Sequence, residues 1–425
     1  MMQRPQALRP HIGIFGRRNT GKSSLMNYLA GFETALVSPV AGTTTDPVRK
    51  NVEIPPIGPV TLVDTAGIDD EGNLGTLRTA MAEKQFGAVH LGLLVSDGLW
   101  GDYEDRIVAG LAANGTPCIV VWSKSDVTSP DKNSMQKVVR QSIAAVAVSS
   151  AERRGLEGLV AAMLHALPEE ALTPPSMLGD TLPPGSLCLF VAPIDQSAPK
   201  ARLIQPQVQA LRDCLDAHAL SLIVQPEELK TALRILRAPP HLLVCDTQAV
   251  HLCVQDAPAS LPLTTYSILM ARLKGDLPIL AAGAAAIHSL QDGDVVCISE
   301  VCAHHAQPDD IGRVKIPALL RQFTGKKLDI QFAAGRSYPE NIEDFKLIIH
   351  CGGCMINRPV MLSRMAEAAR AGVPITNYGV AISLLRGVLK RALQIFPHAL
   401  ATYKAAVVHG ETEPQEREVQ ACEGY

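Results

Sequence analysis

The chain has 425 residues, of which 47% are hydrophobic and 4% aromatic, and this length predicts roughly two to four domains. The formal net charge of −3, without a basic stripe, argues against a nucleic acid or an anionic membrane surface as a partner. No apolar run approaches the ~18 residues of a membrane helix or forms a secretory signal, so we expect a cytoplasmic protein with mostly reduced cysteines.

The first part of the chain alternates short apolar runs with helical patterns. Strands are predicted at HIGIFG, PVTLVDTAG, AVHLGLLVSD, PCIVVWSKSD and AAVAVSSA, and helices at SSLMNYLAG and GLEGLVAAMLHAL. This alternation predicts an α/β fold with a mostly parallel, doubly wound sheet and helices on both faces. We assign this domain to residues 1–170, although the first eight or so residues can lie outside the domain.

Two smaller α/β blocks follow a linker rich in Pro, Glu and Gly at residues 171–185. The middle block, residues 186–261, predicts a small sheet whose edges and open face favour pairing with a partner. The third block spans residues 262–408 and includes the apolar runs DVVCISEVC and KLIIHCGGC, and residues 409–425 form a polar, loose tail. We find no internal repeat in the sequence.

A phosphate-binding loop is predicted where the first strand ends. The run GRRNTGKSS matches G-x-x-x-x-G-K-[ST] through Gly16, Gly21, Lys22 and Ser23, between a strand and a helix as the motif requires. Backbone N–H groups surround phosphate oxygens, the lysine adds charge at the β- and γ-phosphates, and the serine hydroxyl ligates Mg²⁺. The alternative is a chance glycine-rich turn, and it is disfavoured because later parts of the sequence also match the motifs of a GTPase. Further GTP contacts are expected from Thr20 and Ser24.

Three later elements complete a guanine-nucleotide site in the expected order. In DTAG, Asp64 can hold Mg²⁺ through water, and the N–H of Gly67 can reach the γ-phosphate. In SKSD, Asp126 can accept two hydrogen bonds from guanine N1–H and the 2-amino group, so GTP is preferred over ATP. The remaining candidates for base and ribose contacts are Ser123, Lys124, Ser150 and Ala151.

This part resembles the translation-factor-related small GTPases, in the TrmE/Era-like branch of tRNA-modification and ribosome-assembly proteins. The resemblance implies that AGTTTDP is the first switch, with Thr44 on Mg²⁺ and the γ-phosphate, and that Asn19 binds K⁺. Ile68 replaces the glutamine of Ras-like proteins, so K⁺ is expected to supply charge. The alternative role for Asn19 is that of a polar residue at the start of the helix, with no bound ion. Ser123 departs from the N-K-x-D pattern, which puts full guanine affinity in doubt.

A second group of candidate ligands lies in the third block. Cys302 and His304 follow one apolar run, with His305 adjacent, and a second run ends in His350, Cys351 and Cys354. The C-x-x-C spacing allows two thiolates to bind one metal ion or cluster from a single turn. The alternatives are a redox pair, structural Zn²⁺, or unrelated core thiols. We expect core positions for Cys118, Cys188, Cys214, Cys245, Cys253 and Cys297.

The order of a GTPase, a small middle domain and C-x-H…H-C-x-x-C resembles the [FeFe]-hydrogenase maturation GTPases. Long runs carry the resemblance, among them LFVAPIDQSAPKARLIQPQVQALRDCLD, DDIGRVKIP and TNYGVAIS. It implies a homodimerising middle domain and an α/β domain that holds a [4Fe–4S] cluster through Cys302, Cys351 and Cys354. His304 or His350 is the candidate fourth ligand, with His305 less favoured, and the residues themselves do not decide between them.

The same resemblance implies a function. The chain would hydrolyse GTP and act as a scaffold or carrier that assembles or delivers the diiron subcluster precursor to apo [FeFe]-hydrogenase. Its other partners would be two radical-SAM maturases, HydE and HydG. Arg358 and Lys315 are expected either to attract the anionic precursor or to be solvated surface charges. Two alternatives stay open, an RNA-associated GTPase and a GTP switch stabilised by structural zinc.

Overall fold

The computed structural model describes residues 8–31, 38–40, 48–65, 83, 85–173, 175–194, 203–301, 310–335, 341–353 and 355–409. The chain divides into two compact units, Met1–Pro174 and Pro175–Tyr425. Within the described ranges, no helix combines the length and the apolar character that crossing a membrane requires.

The first unit contains a seven-stranded sheet in the order β2-β3-β4-β1-β5-β6-β7. Its strands are β1 (His11–Phe15), β2 (Ser38–Val40), β3 (Val48–Ile54), β4 (Gly58–Asp64), β5 (Leu91–Ser96), β6 (Cys118–Trp122) and β7 (Ala144–Ala147). Strands β4, β1, β5, β6 and β7 run parallel, whereas β2 and β3 are antiparallel additions beside β4. The predicted mostly parallel sheet is confirmed.

Both faces of this sheet are buried. In β1, Ile12 and Ile14 belong to one core cluster and Phe15 to the other, because successive side chains of a strand point to opposite faces. The first cluster also contains Leu25 of the helix that follows β1, and the second contains Ile107. The described helices of this unit are α1 (Lys22–Ala30), α2 (Asp102–Ala113), α3 (Lys132–Arg140), α4 (Leu156–Ala166) and α5 (Glu169–Leu172).

The second unit contains two four-stranded, wholly parallel sheets. The first has the order β11-β10-β8-β9, and its strands are β8 (Leu187–Val191), β9 (Leu220–Val224), β10 (Leu242–Cys245) and β11 (Leu263–Thr265). The second has the order β13-β12-β14-β15, and its strands are β12 (Val295–Glu300), β13 (Asp329–Ala334), β14 (Leu347–His350) and β15 (Ile375–Asn377). Strand β11 lies beyond residue 261, the predicted end of the middle domain.

Helices connect and cover these two sheets. Around the first sheet the described helices are α6 (Gln205–Asp216), α7 (Leu229–Ile235), α8 (Val250–Asp256) and α9 (Tyr266–Lys274). Around the second they are α10 (Leu277–Ala285), α11 (Ile316–Thr324), α12 (Arg358–Arg370), α13 (Tyr378–Leu385), α14 (Leu389–Ala392) and α15 (Pro397–His409). A single π-helical turn, Ile311–Lys315, leads into α11.

The two sheets of the second unit repeat one topology. Read from the edge, β9-β8-β10-β11 corresponds to β13-β12-β14-β15, and the strand registers match residue for residue. Cys245 lies opposite Thr265 in one sheet, as His350 lies opposite Asn377 in the other. The expectation of no internal repeat was therefore wrong at the level of structure. We call the two copies the first module, residues 187–274, and the second module, residues 295–385.

The repeat extends to how each module ends. The sequence PLTTY closes the first module's last strand and PITNY closes the second's. Thr265 caps α9 by accepting a hydrogen bond from the N–H of Ile268, and Asn377 caps α13 by accepting from the N–H of Val380. The same strand-to-helix junction therefore occurs twice.

In the second module, the strand order reverses at one point along the carboxyl ends of the strands. From β12 the chain passes through α11 to β13 on one side, and later strands add β14 and β15 on the other side. The carboxyl ends of β12 and β14 therefore flank the point where the strand order reverses. Parallel sheets bind ligands preferentially at such a point.

Candidate functional site

The phosphate loop of the first unit has the backbone geometry that its glycines permit. Gly16 and Gly21 have φ values of +147° and +93°. A Cβ atom added at Gly16 would lie 2.3 Å from the carbonyl oxygen of Val95, so no side chain fits there. Asn19, the predicted K⁺ ligand, has a φ of +61° and an exposed side chain. Asparagine tolerates this left-handed conformation better than most residues.

Lys22 lies inside this loop. Its ammonium donates to the carbonyl oxygens of Gly16, at 2.7 Å, and Arg17, at 2.5 Å, and the side chain is only 8% exposed. The hydroxyl of Thr20 donates to the same Arg17 carbonyl oxygen at 2.9 Å. The positive charge of Lys22 therefore lies inside the loop. There, phosphate oxygens of a bound nucleotide can accept its hydrogen bonds in place of the backbone carbonyl oxygens.

The predicted Mg²⁺ ligands Ser23 and Asp64 are brought together. The Ser23 hydroxyl lies 3.5 Å from Asp64 Oδ2, and the buried Oδ1 has no hydrogen-bond partner among the described residues. Burial raises the pKa of the Asp64 carboxyl, and Lys22, Ser23 and Lys50 oppose that rise. An unpartnered carboxylate oxygen beside a serine hydroxyl fits a hard cation such as Mg²⁺. The other predicted contacts, Thr44 and Gly67, lie outside the described residues, as does Ile68.

The guanine-binding loop is tied to the phosphate loop through Ser123. Its hydroxyl lies 2.5 Å from the carbonyl oxygen of Thr20 and 3.1 Å from that of Ser96, and the side chain is buried. A hydrogen bond from the Ser149 hydroxyl lowers the pKa of Asp126, and that exposed carboxylate remains free to accept from a base. Serine thus supports the loop where the motif ordinarily has asparagine.

The other predicted nucleotide contacts lie around these loops. Lys124 has a φ of +53°, and its ammonium lies 3.7 Å from a carboxylate oxygen of Asp97. Ser150 and Ala151 line one groove together with Ser24 of α1. The structure therefore brings the described phosphate-loop and guanine-loop candidates to one side of the sheet, at the carboxyl ends of β1, β6 and β7.

One feature of this site was missed by the sequence analysis. Arg17 forms a bidentate ion pair with Glu104 of α2, with nitrogen–oxygen distances of 2.8 and 2.7 Å. Glu104 is buried and also accepts from the N–H of Gly101 at 2.8 Å, and the guanidinium lies over the ring of Tyr103. The pair joins the phosphate loop to α2. Because 87 positions separate its members, no local pattern pointed to it.

The candidate cluster site lies at the strand-order reversal of the second module. Cys351 directly follows β14 and is half-buried, and its sulfur accepts a hydrogen bond from the N–H of Val301 at 3.4 Å. Its own N–H donates to the carbonyl oxygen of Ser299 at 2.8 Å. The end of β12 therefore lies against Cys351, so the two ligand runs start side by side.

Four candidates cannot be placed, because Cys302, His304, His305 and Cys354 lie outside the described residues. Among the residues that are described, no group of three or more His, Cys, Asp or Glu side chains could hold a metal ion. Gly353 has a φ of +62°, the left-handed turn expected within C-G-G-C. A soft thiolate at the strand-order reversal, next to Val301 at the end of β12, is a ligand of the kind that an iron–sulfur cluster takes.

His350, a candidate fourth ligand, is fully buried and bonded through both ring nitrogens. Nδ1 lies 2.6 Å from the carbonyl oxygen of Cys351, and Nε2 lies 2.7 Å from Nη1 of Arg364. A guanidinium only donates, so Nε2 accepts and the Nδ1–H donates. Burial, reinforced by Arg364, lowers the pKa of His350 to about 4, so the ring is neutral at pH 7.

Arg358 and Lys315 have other partners than the expected anionic precursor. Nη1 of Arg358 lies 2.6 Å from the carbonyl oxygen of Gly275 and near those of Arg272 and Leu273, at the end of α9. The Lys315 ammonium is 3.0 Å from Oε1 of Gln248. The geometry of Arg358 is that of a helix C-terminal cap, which argues against the role proposed for it.

The cysteines predicted to lie in the core are mostly buried. Cys188, Cys214, Cys245, Cys253 and Cys297 are buried free thiols, whereas Cys118 is half-buried. They lie within strands or helices that face a core, and a thiol behaves there as a small apolar side chain.

Three family models match successive parts of the chain. Residues 11–124 match a model described as a 50S ribosome-binding GTPase. Residues 177–275 match the hydrogen maturase F dimerization domain, and residues 278–395 match the hydrogen maturase F tetramerization domain.

Two curated relatives are tRNA modification GTPases that match about a third of the chain. The tRNA modification GTPase MnmE of Burkholderia ambifaria (strain MC40-6) is 38% identical over 122 residues, which is 28% of this chain and 25% of the relative. MnmE of Synechococcus sp. (strain CC9311) is 34% identical over 157 residues, or 36% of this chain and 33% of the relative. The chain thus spans about a quarter to a third of the length of these relatives.

Two of the similar solved structures are G proteins. The G domain of the T. maritima FeoB iron transporter is 22% identical, covers 37% of this chain and 98% of its own, and has a TM-score of 0.29. A GTP-binding protein of Sulfolobus solfataricus in complex with GDP is also 22% identical, with 37% and 52% coverage and a TM-score of 0.29.

The fold and the loop geometry define a P-loop GTPase domain that is followed by two parallel α/β modules. The two models specific to hydrogen maturase F cover those modules and together span just over half of the chain. The chain belongs to the hydrogen maturase F (HydF) family.

Proposed function

We propose that this protein is a GTP-hydrolysing scaffold or carrier in the maturation of [FeFe]-hydrogenase. The observation that carries the proposal is the domain order, in which two HydF-specific domains follow a GTPase domain. The position of Cys351 at the strand-order reversal of the second module supports a ligand site in the last domain.

The nucleotide side of the proposal assigns roles to residues of the first unit. Lys22 neutralises phosphate charge, and Ser23, Thr44 and Asp64 hold Mg²⁺, which stabilises the charge that develops on the γ-phosphate. The Gly67 N–H would contact that phosphate. Further roles are guanine recognition by Asp126 and K⁺ binding by Asn19.

The metal side assigns a [4Fe–4S] cluster to Cys302, Cys351 and Cys354. Three thiolates leave one iron for a weaker ligand, which suits a site that receives a diiron precursor as cargo. Delivery would be to apo [FeFe]-hydrogenase, and HydE and HydG would be the partners that supply the precursor. GTP-driven movement of the switches would alter partner exchange.

We further propose that the chain works as an oligomer in the cytoplasm. The family names of residues 177–275 and 278–395 refer to dimerization and tetramerization. In the first module the edge strand β9 has exposed Leu220 and Ile223, which is the kind of edge that pairs with a second copy in a homodimer.

The experiment that tests the proposed function is metal analysis of the anaerobically purified full chain. We expect about four irons and four sulfides per chain, and an EPR signal after reduction. Cys351→Ser should lose this cluster while GTP turnover remains. Stoichiometric zinc with a silent spectrum would contradict the cluster. Because the MnmE relatives are tRNA modification GTPases, co-purifying RNA would instead favour an RNA-associated GTPase.

A further inference from the structure

We propose that His350 is not the fourth iron ligand but a positioning residue, which Arg364 locks in place and which fixes the backbone of the cluster ligand Cys351. The inference rests on the proposed function, because it concerns the residues behind the cluster. It is carried by described residues alone: the buried imidazole, the buried guanidinium and the chain around Cys351.

Both ring nitrogens of His350 are already used. Binding iron through Nε2 would require it to leave the guanidinium of Arg364, whose side chain is only 4% exposed. Depriving a buried cation of one of its hydrogen-bond acceptors is costly. Binding through Nδ1 would require it to leave the carbonyl oxygen of Cys351. The first route breaks the contact that locks the ring in place, and the second breaks the contact between the ring and the backbone of the neighbouring thiol ligand.

The imidazole also points away from the edge where the cluster would lie. His350 is the last residue of β14, and its partner Arg364 lies in the middle of α12, the helix that follows this strand. Its side chain therefore occupies the layer between sheet and helix. Cys351, one residue later, has left the strand and contacts the N–H of Val301 at the carboxyl edge.

The first module supports this reading independently. Cys245 occupies the register position of His350, since each lies opposite the last residue of the neighbouring strand, Thr265 or Asn377. Cys245 is fully buried and its thiol donates to the carbonyl oxygen of Thr264 at 3.7 Å, while the neighbouring Cys253 thiol of α8, the helix that follows its strand, raises the pKa of Cys245. In both copies, therefore, this position is a contact between the sheet and the next helix.

The consequence is that Cys351 is held at three points, two on its backbone and one on its sulfur. Its N–H donates to the carbonyl oxygen of Ser299, its carbonyl oxygen accepts from His350, and its sulfur accepts from the N–H of Val301. Partners of this kind orient ligands and set the properties of the metal they hold. The buried positive charge of Arg364 stabilises the reduced cluster, which is the more negative form, and so raises the midpoint potential of the cluster.

The experiment uses the full chain, reconstituted anaerobically with iron and sulfide, as wild type and as His350→Gln, Arg364→Met and Arg364→Lys. His304→Gln is the matched histidine control. Protein labelled with ¹⁵N-histidine is examined by pulsed EPR for coupling between the cluster and a histidine nitrogen. The midpoint potential, the rate of iron release to a chelator and the apo-protein unfolding temperature are measured in parallel.

We expect His350→Gln to retain a cluster and to leave any histidine coupling of the wild type unchanged. Its iron release should become roughly 10–100-fold faster, as for other residues that orient metal ligands. Arg364→Met should release iron similarly fast and shift the midpoint potential to a more negative value. Arg364→Lys keeps the positive charge, so its midpoint potential should lie close to the wild-type value.

Three results would overturn the inference. Histidine coupling that disappears in His350→Gln but persists in His304→Gln would make His350 a ligand. A lower unfolding temperature with unchanged potential and iron release in Arg364→Met would reduce the pair to a structural role. Wild-type protein that takes up no iron–sulfur cluster would refute the proposed function itself, and the inference with it, whereas the first two results leave the cluster in place.

Discussion

Replacing Arg17 with methionine should destabilise the first unit far more than an ordinary surface ion pair would. Arg17 meets Glu104 through two nitrogen–oxygen contacts of 2.8 and 2.7 Å. The Glu104 side chain is 1% exposed and the Arg17 side chain 35%. Removing Arg17 therefore leaves a buried carboxylate with the N–H of Gly101 as a remaining donor.

The magnitude follows from these exposures. Breaking a fully buried pair by removing one partner costs about 3–5 kcal/mol, whereas an exposed pair contributes about 0–1 kcal/mol. Because Arg17 is one-third exposed, we expect a loss of roughly 2–3 kcal/mol. For a unit of this size that lowers the unfolding temperature by roughly 4–12 °C. Glu104→Gln should cost less, since a neutral amide is cheaper to bury and its oxygen still accepts.

The assay is calorimetric unfolding of the full chain, in which added GDP identifies the transition of the first unit because ligand binding raises it. Lys137→Met is the matched control, because Lys137 pairs with Asp105 of the same helix at 2.9 Å with both side chains well exposed. It should cost about 0.5 kcal/mol or less. If the losses in Arg17→Met and Glu104→Gln add in the double variant within about 0.5 kcal/mol, the two side chains are not coupled and the reasoning fails.

The remaining predictions concern the two ligand sites. Lys22→Ala should lower GTP turnover by roughly 10²-fold or more while iron content stays unchanged, and loss of both would contradict separate folding of the units. Asp126→Asn should shift the preference measured by nucleotide competition from guanine toward xanthine, because an amide can donate to the 2-oxo group; an unchanged preference would contradict the role of Asp126. Asn19→Ala should remove any stimulation of GTP turnover by K⁺, and a stimulation that persists would refute that assignment. Removing iron with a chelator should leave the far-UV circular dichroism of the chain nearly unchanged, because β12 and β14 are buried by their own apolar neighbours; unfolding on removal would mean that the metal holds the module together.

Sequence reasoning worked best where chemistry and local structure coincide. The phosphate loop needs glycines at positions with positive φ, a lysine and a hydroxyl at fixed spacing, and it must follow a strand and open a helix. Because each requirement limits the residues allowed, Gly16, Gly21, Lys22 and Ser23 could be named from the sequence. The parallel sheet follows from the same alternation of apolar strands and helices.

The pair of Arg17 and Glu104 could not be predicted for the opposite reason. Arg17 occupies a variable position of the motif, and Glu104 looks like an ordinary acidic residue in the first turn of a helix. Their meeting depends on how α2 packs on the sheet, in the core cluster that also contains Phe15, and nothing local in either segment encodes it. Tertiary packing also explains why the weakly patterned edge strand β13, DIQFAA, escaped the sequence prediction.

The role of His350 illustrates a third limit. Spacing placed the imidazole of His350 next to a predicted thiolate ligand, and proximity in sequence suggested that the imidazole is a ligand too. Strand geometry sends neighbouring side chains in different directions, so His350 faces α12 while Cys351 lies at the edge. A direction of this kind depends on where β14 ends, which sequence patterns define least well.

The internal repeat shows how a sheet can gain a site without changing its fold. The two modules share strand order and register, yet few residues beyond the PLTTY and PITNY junctions reveal this, because apolar core positions tolerate many substitutions. The residue after the third strand is Asp246 in the first module and Cys351 in the second. The position before it changes from Cys245, whose thiol donates to the carbonyl oxygen of Thr264, to His350, which accepts from a buried arginine. Since strands of both modules are buried in the same pattern, these differences at the carboxyl edge do not alter the architecture. The capacity proposed for the second module therefore resides in a few edge residues and the helix behind them, while the shared sheet supplies their positions.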